Sequence, residues 1–168
     1  SYKSYIEMHG GRIYAGGLPF KVGGSRREII PVLRRILCNN RYDVAHIHSG
    51  STSVLAYGAR VASKSGIKRV IVHSHSSGEE ENIRHSLIKI YSSNIFRRYV
   101  TDYCACSIEA AKWKFPKDKI KEVKVLKNGI DLRRFSYNEV MRKEMRDKFC
   151  IDKETLVLGH VGRFTYEK

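Results

Sequence analysis

The sequence predicts an α/β fold, a parallel sheet with helices on both faces. Short apolar, β-branched runs alternate with longer segments whose apolar residues recur at helical spacing. Strands separated by helices over this length imply βαβ units and a doubly wound sheet, with right-handed crossovers carrying helices to either side. The composition permits such a core. The 168 residues are 42% hydrophobic and 10% aromatic, which excludes a wholly disordered chain.

The elements follow in order. Residues 12–15 (RIYA) read as a short strand, before a loop holding Gly16-Gly17 and Gly23-Gly24. A helix starts from Ser25 as its N-cap, with Pro31 in its early turns and Ile29, Val32, Leu33, Ile36 and Leu37 at helical spacing. Residues 42–48 (YDVAHIH) form a buried strand, 52–64 a helix rich in small residues and ended by Gly66, and 69–73 (RVIVH) another strand. A loop of Ser, Gly and Glu over 74–81 leads to a long basic helix, 83–100, with the apolar stripe Ile83, Leu87, Ile88, Tyr91, Ile95 and Tyr99. Residues 102–106 (DYCAC) are a strand, 108–113 a short helix and 121–126 (KEVKVL) a strand. Asn128-Gly129 makes a turn, 138–149 is a charged helix, and 155–161 (TLVLGHV) is a last strand running into Gly162-Arg163.

This succession divides the chain into a partial first domain (1–135), a charged, strand-free linker (136–153) and the first strand and loop of a second domain (154–168). The chain starts at Ser1 and stops at Lys168 directly after a structured segment, which is expected of a piece of a longer protein.

Charge is the outlier. Lys and Arg number 32 against 17 Asp and Glu, a formal +15, so the surface should seek nucleic acid, acidic phospholipid or phosphorylated small molecules. No apolar run reaches the roughly 18 residues of a membrane span, and the N-terminus has no signal-peptide pattern. Four sparse cysteines (Cys38, Cys104, Cys106, Cys150) and no Asn-x-Ser/Thr acceptor fit free thiols in a reducing cytoplasm.

In an open parallel sheet, ligands bind beyond the carboxyl ends of the strands. Two His-x-His pairs fall there, His46-Ile47-His48 and His73-Ser74-His75, and period-2 spacing turns each pair to one face. His48 and His75 are expected to reach the crevice, where imidazole can donate to a sugar hydroxyl or a phosphate oxygen. His46 and His73, deeper in their strands, are expected to pack in the core. The pairs also suit a metal-dependent hydrolase, since imidazole binds zinc, iron or nickel, although no carboxylate follows at ligand spacing and Glu79-Glu80-Glu81 reads as a solvated loop. Cys104-x-Cys106 is too closely spaced for a zinc knuckle and reads as packed thiols. Gly162-Arg163, trailed by Lys168, would let backbone and two cations approach a diphosphate. The basic helix carries Arg84, Lys89, Arg97 and Arg98, which suits anionic lipid or an ordinary solvated face. The Arg-Arg pairs are scattered, so a nucleic-acid groove is the weakest reading, and a non-catalytic basic binding module remains an alternative.

The ordered series YDVAHIHSG, RVIVHSHSS, TDYCACSIEAAKWKF, VKVLKNGIDLRRF and LVLGHVGRFTYEK resembles the family 4 retaining glycosyltransferases, in particular those of bacterial capsular and exopolysaccharide assembly. The resemblance implies the GT-B architecture, two Rossmann-like domains facing across a cleft. The chain would supply most of the acceptor-side domain and the opening of the donor-side one. It implies transfer of a hexosyl group from a nucleotide sugar to a lipid-linked glycan acceptor, at the cytoplasmic face of an anionic membrane, with no metal and no cofactor beyond the donor. By the same resemblance, His75 contacts the transferring sugar as the catalytic residue and His48 lines the acceptor side. Gly162, Arg163 and Lys168 hold the donor diphosphate, and Asp131 is structural. The paired acidic residues with which the family holds the donor have no counterpart here, so these residues alone are expected to be inactive.

Overall fold

The computed structural model describes residues 2–17, 27–77 and 83–162, with the side chain of Arg84 excepted. The chain divides into two compact units, Ser1–Asn128 and Gly129–Lys168.

The first unit holds helices α1 (Tyr2–Met8), α2 (Ile29–Cys38), α3 (Thr52–Lys64), α4 (Ile83–Tyr99) and α5 (Ile108–Lys114). Its strands are β1 (Val44–Ser49), β2 (Arg69–Ser74), β3 (Asp102–Ala105) and β4 (Lys124–Val125), with a 3-10 turn at Lys117–Glu122. The strands form one parallel sheet in the order β1-β2-β3-β4. This is the expected α/β, Rossmann-like arrangement.

The strand order advances one place in the same direction at each step, for which right-handed crossovers carry α3, α4 and α5 to one side. Ala45, Ile47, Val70, Val72 and Ala105 pack in or against the helical core, while His46 and His48, which alternate with them in β1, are exposed.

Helix α3 can lie close to the sheet because its inner face is small. Ala56, Ala59 and Ala62 are buried beside Leu55, and a Cβ on Gly58 would stand 3.2 Å from two side-chain carbons of Ile47. The far end of the core is aromatic. Phe115 meets Phe96 edge-on at 5.5 Å and Tyr103 at 5.3 Å, contacts that add about 0.5–1.5 kcal/mol each to the area they bury. Ser107 caps α5 by accepting the Ala110 N–H at 3.1 Å, and the buried Ser74 hydroxyl donates to the Ala110 carbonyl at 2.9 Å, tying β2 to α5.

Several local expectations are corrected. Residues 12–15 and 155–161 are not strands. A strand exists only through a ladder partner, and among the described residues neither segment has one; Leu156, Leu158 and Val161 are exposed. The strand expected over 121–126 shrinks to Lys124–Val125, because 117–122 closes into a 3-10 turn. Helix α1 was not foreseen, and none of its residues is buried. In α4 the buried apolar residues lie in the C-terminal half, Ile95 and Phe96, whereas Ile83, Leu87 and Tyr91 of the expected stripe are exposed. Helix α2 begins at Ile29, after Glu28; the expected cap Ser25 lies outside the described residues, as do Glu79, Glu80 and Glu81.

The second unit contains α6 (Glu139–Lys148), within the segment expected to be a linker. Asn138 caps it by accepting the Met141 N–H at 3.0 Å. Asp131 accepts the Arg133 and Arg134 N–H groups at 3.1 and 3.3 Å and so closes its own turn. The Arg146 guanidinium donates to the carbonyls of Asp152 and Thr155, holding the chain that leaves the helix. Among the described residues, no helix is long and apolar enough to cross a membrane.

Candidate functional site: a histidine cluster at the strand ends

Alternation in β1 turns His46 and His48 away from the helices. The parallel register then sets His48 beside His73, and His75 follows directly after β2. Four imidazoles consequently meet on the open face. Ring centroids are 4.0 Å apart for His46 and His48, 5.4 Å for His46 and His73, 4.9 Å for His48 and His73, and 4.3 Å for His73 and His75. His48 and His75 are 5.1 Å apart and stacked, with His48 Nδ1 and His75 Nε2 at 2.8 Å. That contact needs one N–H and one lone pair, so the pair holds a single proton on this axis.

The loops beyond the strands are fastened together. The Ser76 hydroxyl donates to the Gly50 carbonyl at 3.2 Å, and a Cβ on Gly50 would stand 2.9 Å from that hydroxyl. Glycine at 50 therefore permits the two strand-end loops to meet, which keeps His48 and His75 in register.

The four rings differ in environment. His73 is buried, only 6% exposed, and neither of its ring nitrogens has a hydrogen-bond partner in the protein. Burial, followed by the neighbouring imidazoles of His75, His48 and His46, lowers its pKa from 6.5 to about 4. His48 is lowered by burial, then by His46 and His75. Both rings are thus neutral at pH 7, with lone pairs available for a metal ion or a ligand donor. Cys104 pairs with His73 in the ladder, and burial pushes its thiol pKa up, in keeping with a packed rather than reactive cysteine.

The expected site residues are thus placed unevenly. His48 and His75 stand in contact with each other. His73 is buried as expected, but His46 is exposed and adjoins the other three, so the cluster has four members rather than two. Only the sheet register could reveal this, because it decides which residues of β1 and β2 stand side by side. Gly162 lies in the second unit, where a Cβ would stand 2.7 Å from His160 Nε2. Arg163 and Lys168 lie outside the described residues. A cavity of about 420 Å³ between α2 and α3, lined by Arg34, Tyr57, Arg60 and Lys64 among others, shares no residue with the cluster.

No protein-family model matches the chain, and no solved structure matches it significantly. Among curated proteins it is similar to "Putative glycosyltransferase EpsF" of Bacillus subtilis (strain 168), with 28% identity over 131 residues. The match takes in 75% of this chain, and the chain spans about a third (33%) of that relative's length.

Proposed function

We propose that this chain forms the acceptor-side part of a glycosyltransferase of polysaccharide biosynthesis. The enzyme would move a hexosyl group from a nucleotide sugar to a lipid-linked glycan acceptor, with retained anomeric configuration. The observation that carries this reading is the group of four imidazoles at the carboxyl ends of β1 and β2, where parallel sheets take their ligands. The similarity to a glycosyltransferase supplies the reaction class.

In this reading the bond from the sugar C1 to the diphosphate breaks, and C1 forms a bond to the acceptor oxygen on the same face. His48 Nδ1 and His75 Nε2 hold one proton between them across the 2.8 Å contact, and His75 would present its other ring nitrogen to the transferring sugar. His48 itself lines the acceptor side. Negative charge builds on the departing diphosphate, and Arg163 and Lys168 offset it while Gly162 lets backbone approach. With two cations in that role, the transfer needs neither a metal nor a further cofactor. The +15 charge suits a station at the cytoplasmic face of an anionic membrane, where acidic lipid and a lipid-linked diphosphate are both at hand.

The test is turnover of the full-length enzyme with nucleotide-sugar donors. His75→Asn, Arg163→Ala and Lys168→Ala should each lower kcat on the order of 100-fold, the cost of removing one preorganised donor, while circular dichroism stays unchanged. Wild-type turnover in all three variants would refute the assignment.

A further inference from the structure

We propose that His46, His48 and His73 form a three-nitrogen binding site for a transition-metal dication of the zinc class, with its fourth position open to solvent. One ring nitrogen from each of the three residues lies within 4.8 Å of the others. Tetrahedral coordination at about 2.0–2.1 Å requires nitrogens about 3.3 Å apart, so the rings must close by about 1.5 Å or less. His46 and His48 are exposed and can turn to do so, while His73 is fixed by burial between its neighbours.

A second, independent observation concerns His73. Its ring is more than nine-tenths buried, both nitrogens lack a protein partner, and it stands 4.9 and 5.4 Å, centroid to centroid, from the other two rings. A neutral imidazole buried with an unused lone pair beside two more imidazoles is what a metal ion would satisfy.

The surroundings also fit. His48 engages His75 through Nδ1, which leaves Nε2 as its ligating nitrogen. The Nδ1–H donated to His75 Nε2 is then the outer contact that fixes the tautomer and orientation of a metal-bound histidine. Among the described residues, no carboxylate belongs to the group. Three imidazole nitrogens favour zinc, copper, nickel or cobalt over magnesium or calcium, which require oxygen ligands. The ion takes no part in the transfer proposed above. Because binding is read on the 168-residue chain itself, the site stands or falls independently of that activity.

The experiment is titration of the chelator-stripped chain with zinc chloride by calorimetry and with cobalt chloride by visible absorption. One equivalent of each should bind, and magnesium chloride should give no heat. The cobalt spectrum should show the intense d–d bands of a tetrahedral site without a near-ultraviolet sulfur-to-cobalt band. His46→Ala and His48→Ala change exposed residues and should each weaken zinc binding at least 100-fold. His75→Ala should weaken it by about 10- to 100-fold, as loss of an outer contact does. Absence of binding, unchanged affinity in His46→Ala and His48→Ala, or a sulfur-to-cobalt band placing the ion on the exposed thiols of Cys38 and Cys150 would each overturn the proposal.

Discussion

Lys114, the last residue of α5, is only 6% exposed. Burial first, and the Lys89 ammonium second, lower its pKa from 10.5 to about 8. It is still protonated at pH 7, so the fold bears a buried cation. At about 1.4 kcal/mol per pH unit, the difference between those pKa values corresponds to at most roughly 3.5 kcal/mol, part of which the buried aliphatic stem offsets. Lys114→Met removes the charge and keeps an unbranched stem, so it should stabilise the chain at pH 7 by about 1–3 kcal/mol. The sign of the pH dependence follows from linkage. Between pH 8 and 10.5 the unfolded chain holds more protons at this site than the folded chain, so wild-type stability rises with pH relative to the variant. The advantage of Lys114→Met should therefore be full below pH 8 and vanish near 10.5. Urea unfolding at pH 7, 8, 9 and 10, followed by Trp113 fluorescence, measures it; tyrosines titrate in both proteins and cancel in the difference. A pH-independent difference, or a variant less stable than wild type at pH 7, would refute the reasoning.

Two further substitutions probe how the sheet is held. Gly58→Ala exchanges about 1 kcal/mol of helix propensity for a 3.2 Å contact with Ile47 and should be near neutral, whereas Gly58→Val overpacks that contact and should cost about 2 kcal/mol. Because Ile47 lies between His46 and His48, Gly58→Val should also shift histidine ring resonances; a variant as stable as wild type with an unmoved histidine spectrum would sink the argument. The Tyr103 hydroxyl is buried without a protein partner, so Tyr103→Phe should leave stability unchanged or raise it by about 1 kcal/mol, and a loss of more than that in thermal unfolding would show the hydroxyl to be satisfied.

Sequence was most legible where local chemistry suffices. Helix α3 spans Thr52–Lys64 as expected, because Ser51 and Gly66 flank a segment whose buried Leu55, Ala56, Ala59 and Ala62 recur at helical spacing. Strands β1, β2 and β3 fall within two residues of expectation, because short runs of β-branched, aromatic or small apolar residues bounded by polar turns have few alternatives. Where an element depends on a distant partner, the pattern misleads. Residues 155–161 have the composition of a strand but no ladder partner among the described residues, and Ile83, Leu87 and Tyr91 have helical spacing but no core beneath them. Strand order has no local signature either.

The histidine cluster is a consequence of the same two-residue period that builds the core. In β1, Ala45 and Ile47 face the helices while His46 and His48 face away; in β2, Val70 and Val72 are core while His73, facing the other side, meets both. One face carries apolar burial and the other carries the histidines, and a single-residue slip of either strand would exchange them. Substitutions at residues 45, 47, 70 and 72 should therefore act on stability, and those at His46, His48 and His75 on the metal binding proposed above. His73 belongs to both groups. It lies on the histidine face yet is buried, so replacing it changes the core and the cluster together. For that reason the exposed histidines, rather than His73, separate the roles of fold and site.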